Sequence, residues 1–169
     1  MQQIYLTGKY ADYMVERAMA TMQLKMAGYR LLPLSQSGRV RGFAMHLLTV
    51  PDAPMYNDVP CDICLSPSEL LILGEVYERI AAPALRQAAS VQAAVLIGGV
   101  SKAALEEPAF AEAVCACLRG RALAVVVADK DAVEPLRAMT PEEDQLWLHM
   151  PTESDELLSR LMQEISMRI

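Results

Sequence analysis

Gly8 lies where a phosphate-binding loop would begin, directly after the apolar run Ile4 to Leu6 and before a predicted helix. That motif reads G-x-x-x-x-G-K-[ST]: backbone N–H groups surround phosphate, the lysine reaches the β- and γ-phosphates, and the hydroxyl holds Mg²⁺. With the motif placed on this glycine, its second glycine falls on Tyr13, and its lysine and hydroxyl fall on Met14 and Val15. Only the first glycine fits, and one glycine at a strand-to-helix turn is a weak signal.

Two charged residues of the same turn, Lys9 and Asp12, affect whether it would bind an anion. Asp12 is a candidate N-cap of the first helix, where its carboxylate would take the place that phosphate uses and would repel an anion. Lys9 could supply a substitute cation, but a surface lysine on a turn is the simpler interpretation. We therefore predict that the turn from Gly8 to Asp12 does not surround an anion.

A second group of candidates follows the predicted buried strand Ala94 to Ile97, because open parallel sheets bind ligands at the carboxyl ends of their strands. Gly98 and Gly99 either leave space and free backbone groups for a ligand or merely relax a turn. In the first case, valine at position 98 would fill the crevice and leave the fold intact. Segments 8–12, 98–102, 129–131 and 149–152 line this edge. The ligand-crevice candidates are Gly8, Lys9, Asp12, Gly98, Gly99, Ser101, Lys102 and His149.

The cysteines form a C-x-x-C pattern at Cys61 and Cys64, which could indicate a redox pair or half a zinc site. Both precede the next predicted helix, whereas a redox pair of this kind normally lies in the first turn of a helix. Zinc needs four ligands, and the sequence has no second C-x-x-C and no H-x-x-x-H. Cys115 and Cys117 would lie roughly 200° apart around a helix, so they cannot chelate together. We predict packed thiols, no metal site, no cofactor and no catalytic residue.

Composition excludes several classes of function. The 15 basic and 21 acidic residues give a net charge of −6, which argues against a nucleic-acid or anionic-membrane surface. No apolar stretch approaches the ~18 residues of a membrane span, and the N-terminus lacks a secretory signal pattern. We expect a cytoplasmic protein whose partner is an unknown protein or a small metabolite, with no nucleic acid and no membrane. The sequence leaves open whether the protein forms a homo-oligomer.

Short apolar runs alternate with longer amphipathic ones, which is typical of a mostly parallel sheet covered by helices. The first helix is predicted over 12–27, with Gly28 as its C-terminal cap. Residues 29–34 and 39–48 predict an antiparallel hairpin around Ser37-Gly38. Further strands are predicted at 94–97, 122–127 and 146–148, and further helices at 106–118, 131–139 and 152–167.

The segment Ser66-Pro67-Ser68-Glu69 has the sequence of a capping box with proline in the first helical position. It predicts a helix that begins there and runs to about Ala89. Pro83 would kink this helix because it removes one backbone donor. The residues before it, 51–60, are predicted to form a loop.

The chain resembles the cancer-related nucleoside-triphosphatase family of small P-loop enzymes over most of its length. The most specific stretch is 77–85, Tyr-Glu-Arg-Ile-Ala-Ala-Pro-Ala-Leu, which is similar to the long helix of that family with its internal proline. Weaker matches cover 4–8, 27–29, 38–43, 110–114 and 151–157. The resemblance implies a three-layer α/β domain of the P-loop NTPase type over 1–169, with a mostly parallel sheet and an inserted antiparallel hairpin.

The resemblance also places the Asp-Glu-Ile-Gly-Lys motif of the family on residues 98–102, Gly-Gly-Val-Ser-Lys. In that family the Asp supports Mg²⁺ and the Glu is thought to activate the attacking water; both are glycine in this chain. Only Gly8 and Lys102 match the nucleotide motifs in identity, and Lys102 is not at a catalytic position. No catalytic residue can be carried over from the family.

Phosphoryl transfer depends on a lysine that clamps phosphate and on Mg²⁺ held by a hydroxyl and a carboxylate. Met14 and Val15 supply neither group. We therefore predict a protein that does not hydrolyse nucleoside triphosphates and acts as a binding or regulatory module. The alternatives are a nucleotide binder without turnover and an enzyme of unrelated chemistry in the same crevice, which would use His149 or the cysteines.

Overall fold

The computed structural model describes residues 2–48, 58–66, 68–91 and 94–169. The strands are β1 (Gln3–Thr7), β2 (Ala27–Gln36), β3 (Arg39–Leu48), β4 (Val59–Ser66), β5 (Glu69–Ile72), β6 (Ala94–Val100), β7 (Leu123–Ala128) and β8 (Gln145–His149). The α-helices are α1 (Ala11–Met22), α2 (Gly74–Val76), α3 (Ala82–Val91), α4 (Lys102–Leu105), α5 (Pro108–Arg119), α6 (Val133–Arg137) and α7 (Asp155–Ser166). All eight strands belong to one sheet in the order β5-β4-β3-β2-β6-β7-β1-β8.

The sheet has a parallel part and an antiparallel part. β2, β6, β7, β1 and β8 run parallel, whereas β3, β4 and β5 extend the sheet from β2 by antiparallel pairing. The predicted hairpin is confirmed as β2 and β3, in which Leu34 pairs with Gly42. β4 and β5 then lengthen it to an arm of four strands, which the sequence did not predict.

Helices cover both faces of the sheet, which confirms the predicted three-layer α/β architecture. On one face, α1 and α7 pack against β1 through residues spaced three and four apart, such as Met14 and Ala18 in α1 and Leu161 and Ile165 in α7. On the other face lie α3, α5 and α6, with an aromatic cluster that includes Tyr77 and Phe110. Among the described residues, no helix is long and apolar enough to cross a membrane.

The predicted end of the first helix at Gly28 is wrong. α1 ends at Met22, and Gln23 takes the left-handed conformation, with φ 52°, as its C-terminal cap. Gly28 lies inside β2 with φ +112°, and a Cβ there would collide with the carbonyl of Leu96. This glycine therefore allows β2 to approach β6 closely, so it does not end a helix.

The predicted capping box is also wrong, because Ser66 ends β4 and pairs with Glu69 at the start of β5. Pairing with a neighbouring strand satisfies the backbone groups that a helix would have satisfied, and the following helix begins only at Gly74. Pro67 lies outside the described residues, as do 51–57 of the predicted loop. Val59 and Pro60, at the end of that predicted loop, belong to β4.

The predicted kink near Pro83 takes the form of a π-helical turn over Tyr77–Ala81. The N–H of Ala82 donates to the carbonyl of Tyr77, five residues back, immediately before the proline that has no N–H.

The remaining predicted elements are confirmed with shifted ends. The predicted helix 106–118 is α5, after the separate short helix α4, and 131–139 is a 3₁₀ turn (Lys130–Ala132) followed by α6.

Candidate functional site

The carboxyl ends of β1 and β7 form a topological switch point. These strands are parallel neighbours, yet β1 leads into α1 on one face and β7 leads into α6 on the other. Such a divergence leaves a crevice between adjoining helix starts, and ligands of open α/β sheets bind there. What the candidate residues can bind therefore depends on their neighbours at this edge.

The turn between β1 and α1 consists of Gly8–Tyr10, since α1 begins at Ala11. Gly8 has φ +103°, and a Cβ there would lie 2.5 Å from the carbonyl oxygen of Met150. The N–H of Tyr10 donates to that same oxygen at 3.1 Å, and the N–H of Ala11 donates to the carbonyl of Gly8 at 3.2 Å. The N–H groups of Tyr10 and Ala11 at the start of α1 are thus bonded within the protein.

The three positions on which the motif placed its second glycine, lysine and hydroxyl lie on α1 and not in a loop. Met14 and Val15 are completely buried and pack with β1 and α7. Tyr13 is exposed, and its hydroxyl donates to Glu153 at 3.0 Å. These side chains serve the fold of α1, and none offers a cation or a metal ligand to the crevice.

Asp12 does not cap α1 as predicted. The N-cap position is Tyr10, and Asp12 lies in the first helical turn, where it accepts a hydrogen bond from Arg30 at 3.0 Å. Arg30 also pairs with Glu16 at 3.3 Å. Burial alone would lower the pKa of Arg30, but the hydrogen bond and charge of Asp12, with Glu16, raise it above its usual value. No local pattern singles out Arg30. It lies two residues after Gly28 in β2, so both residues lie on the face of the sheet that α1 covers.

Gly98 and Gly99 lie inside β6, and neither leaves open space. A Cβ on Gly98 would collide with the backbone of Tyr29 and Arg30, and one on Gly99 would collide with the side chain of Leu31. The Tyr29 hydroxyl donates to the carbonyl of Gly99 at 2.7 Å in a buried setting. Both interpretations are wrong for Gly98, which allows the backbone of β2 to pack closely on β6 and neither opens a crevice nor relaxes a turn; the neighbour of Gly99 is the flexible side chain of Leu31.

Two backbone N–H groups at the start of α4 also donate hydrogen bonds to side chains of this chain. The hydroxyl of Ser101 accepts a hydrogen bond from the N–H of Ala104 at 3.1 Å, so Ser101 is the N-cap. The N–H of Lys102 donates to a carboxylate oxygen of Asp131 at 3.1 Å. The side chain of Lys102 is exposed at this edge. Sequence analysis placed Asp131 on the edge but assigned it no role.

The candidate residues fall into two groups separated by one strand. Exposed Lys9 and His149 lie beside Gly8, where the Nδ1 atom of His149 is 3.0 Å from the Thr7 hydroxyl and the two residues are in register. Gly98, Gly99, Ser101 and Lys102 lie at β6, and β7 runs between β6 and β1. Two strand spacings put the groups about 10 Å apart. The Thr7–His149 pair is a feature that sequence reasoning did not foresee.

The environment of the cysteines agrees with packed thiols. Cys61 lies at a bulge of β4, where burial raises the pKa of its thiol to about 12. Burial likewise raises the pKa of Cys117 to about 11. Within the described ranges, no three His, Cys, Asp or Glu side chains are grouped so that they could hold a metal ion.

Asp129 follows β7 at the crevice edge, and its carboxyl is sensitive to pH. Burial raises the pKa of Asp129 to about 6 from 3.8, helped by the negative charges of Asp131 and Asp62. A carboxyl whose folded pKa is raised stabilises the fold below its unfolded pKa, and that stability is lost as the pH rises through the folded pKa. The pH window is therefore about 4 to 6.

We expect the substitution Asp129→Asn to raise the free energy of unfolding by about 1 kcal/mol at pH 7 and by much less at pH 4. The effect is smaller than the full pKa difference implies because Asp129 is exposed at the end of β7, where solvent screens its charge. Urea denaturation at both pH values measures it, with Glu106→Gln, which changes an exposed carboxylate, as the control. A stability difference between Asp129→Asn and the natural protein that is the same at both pH values contradicts this assignment.

Two solved structures are similar to the chain along nearly all of its length. The crystal structure of THEP1 from the hyperthermophile Aquifex aeolicus superposes with a TM-score of 0.70 at 14% identity, covering 99% of each chain. The solution structure of a human cancer-related nucleoside triphosphatase superposes with a TM-score of 0.68 at 18% identity, covering 99% of this chain and 96% of that one. No protein-family model and no curated protein matches the sequence. The resemblance noted in the sequence is thus confirmed at the level of fold: this chain has the P-loop NTPase-like fold of these two proteins.

Proposed function

We propose that the chain is a catalytically degenerate relative of the nucleoside triphosphatases that share its fold, and that it acts as a non-hydrolysing binding or regulatory module. The observation that carries this proposal is the turn Gly8–Tyr10. A phosphate-binding loop needs several residues whose N–H groups point at the anion. This turn has three residues, and the N–H of Tyr10 is already bonded to Met150.

The side chains of α1 support the same proposal. Hydrolysis needs a cation on the β- and γ-phosphates and a hydroxyl on Mg²⁺. Met14 and Val15 are fully buried against α7 and the sheet, so even polar replacements there would enter the core and not the crevice. The cation of this turn is Lys9, whose Nζ atom lies 5.8 Å from the centre of the Tyr10 ring.

The end of β6 supports it independently. The positions of the two acids in the nucleoside-triphosphatase motif are glycines, packed against β2 by the contacts of Tyr29 and Leu31. The N–H of Lys102 faces the carboxylate of Asp131, a negative group within the chain. An incoming phosphate at this helix start would meet that carboxylate, so anion binding is opposed here.

The exposed side chains at the edge define where we propose that a ligand or partner binds. Lys9 and His149 lie beside β1, and Lys102 lies at β6, so two lysines and one histidine flank the switch point. A small metabolite or a segment of a partner protein would contact these side chains, and the carboxylates of Asp129 and Asp131 lie at the same edge. The Thr7–His149 pair is the observation that favours the alternative of unrelated chemistry, because a histidine bonded to a hydroxyl can act as a base.

The test is phosphate release by the purified protein with ATP or GTP and Mg²⁺. We expect release no faster than in buffer alone. If release is detected, the variants Lys9→Ala and His149→Ala separate its source, since both residues are exposed and their loss leaves the core intact. Activity that persists unchanged in both variants marks a contaminant, whereas sustained release that falls in either variant contradicts the proposal.

A further inference from the structure

The edge strand β5 carries an unusual amount of exposed apolar surface. It ends the sheet on one side, and among the described residues it pairs with β4 alone. Leu70 is 42% exposed and Leu71 is 46% exposed, on opposite faces of the strand. Ile63 and Leu65 of β4 are also exposed. Unpaired edges of this kind are templates for adding another strand.

The pairing of β5 with β4 fixes which of its backbone groups are free. The N–H of Leu73 donates to the carbonyl of Cys61 in β4 at 2.7 Å. Because backbone groups alternate in direction along an antiparallel strand, Leu71 also faces β4, and Leu70 and Ile72 direct their N–H and C=O groups outward. The open edge therefore offers two residues able to form main-chain hydrogen bonds.

We propose that β5 pairs antiparallel with β5 of a second copy of this chain, with Leu71 opposite its own counterpart. In this register Leu70 of each copy exchanges main-chain hydrogen bonds with Ile72 of the other. The register also keeps side-chain faces aligned across the two-fold axis. An apolar row through Ile63 and Leu71, which are paired in the sheet, then continues into the second copy.

A second copy fits this edge because the edge is self-complementary. Glu69 is the one charged residue of β5, and in the proposed register it lies beyond the paired residues, so no like charges oppose each other. The exposed aliphatic groups of β4 and β5, with the open edge, present on the order of 400 Å² per copy. A dimer would bury about 800 Å² in total, below the roughly 1,200 Å² of standard specific interfaces, so we expect a weak, transient dimer with a Kd of about 10–100 µM.

Sedimentation velocity from about 1 to 300 µM, a range that brackets this Kd, should reveal a concentration-dependent dimer. Leu71→Lys puts two like charges opposite each other, and Leu70→Pro removes an outward N–H while sparing the bonds to β4. Each should weaken the dimer at least about tenfold. The matched controls Val40→Lys and Leu34→Lys change exposed aliphatic residues on strands away from the edge, and both should dimerise like the natural protein.

Two results overturn the proposal. One is a natural protein that stays monomeric over the whole concentration range. The other is equal weakening by Leu34→Lys and Leu71→Lys, which would mean that two copies pack face to face and not edge to edge. Circular dichroism identifies any variant that fails to fold; because Leu71→Lys changes only an exposed side chain, it decides the outcome if Leu70→Pro unfolds.

Discussion

Gly98→Ala should destabilise the protein by about 3 kcal/mol or more, although it adds a single methyl group. That methyl group would collide with the carbonyl oxygen of Tyr29 and the Cα of Arg30 in the neighbouring strand. Both are backbone atoms of paired strands, so β2 and β6 must separate or shift register to admit it. Gly98→Val adds two further methyl groups at the same place and should be worse. It would unfold the protein and would not fill a crevice.

Gly38→Ala provides the matched control, since no atom lies within 4 Å of a Cβ at that turn. Gly38 has φ +74°, so the control measures backbone strain without a collision, at about 1 kcal/mol. Urea denaturation gives both free energies of unfolding. Equal losses in the two variants would mean that β6 and β2 are not packed as closely as described.

Tyr77→Phe should have the second-largest effect, a loss of about 2 kcal/mol in the free energy of unfolding. The Tyr77 hydroxyl donates to a carboxylate oxygen of Asp62 at 2.7 Å, and Asp62 is only 4% exposed. Burial raises the pKa of Asp62, while the hydrogen bond from Tyr77 opposes that rise. Without the hydroxyl, the buried carboxylate loses the stronger of its two side-chain donors and keeps only the Cys61 thiol, so the pKa of Asp62 rises further.

The control for this substitution is Tyr5→Phe. Its hydroxyl lies 3.3 Å from that of Thr140 in a buried setting, but both groups are neutral, so we expect a loss of about 1 kcal/mol. The loss in Tyr77→Phe should also shrink in acid, where Asp62 is protonated, and in an Asp62→Asn background. Losses that are equal in both variants at every pH contradict a charge-assisted bond at Asp62.

The sequence predicts the layers of this fold because they follow from local periodicity. The spacing of Val15, Ala18 and Met19 predicts α1, and the alternation after Gly38 predicts β3. Local signals fail where a distant partner decides the conformation. Ser66 to Glu69 satisfies the pattern of a capping box, but pairing between β4 and β5 makes it part of a hairpin.

The candidate site is less predictable because its contacts join residues that are far apart in sequence. The bond from Tyr10 to Met150 and the bond from Arg30 to Asp12 fix the surroundings of the turn at the crevice edge, and no local pattern reveals either. The local pattern predicts a helix cap at Gly28 and an open strand end at Gly98. In the structure, each glycine allows β2 and β6 to approach closely. The sequence did locate Gly8 at the correct turn.

We expect the Gly8–Tyr10 turn not to hold a phosphate chain, and a residue-resolved NMR titration tests this most directly. The backbone amides of Gly8 to Ala11 are followed while Mg²⁺-ATP is added to millimolar concentration, with sodium sulfate at equal ionic strength as the control. We expect these amide resonances to show no saturable shift with ATP beyond the small change seen with sulfate. Saturable shifts of successive amides in this turn, specific to the nucleotide, would contradict the account.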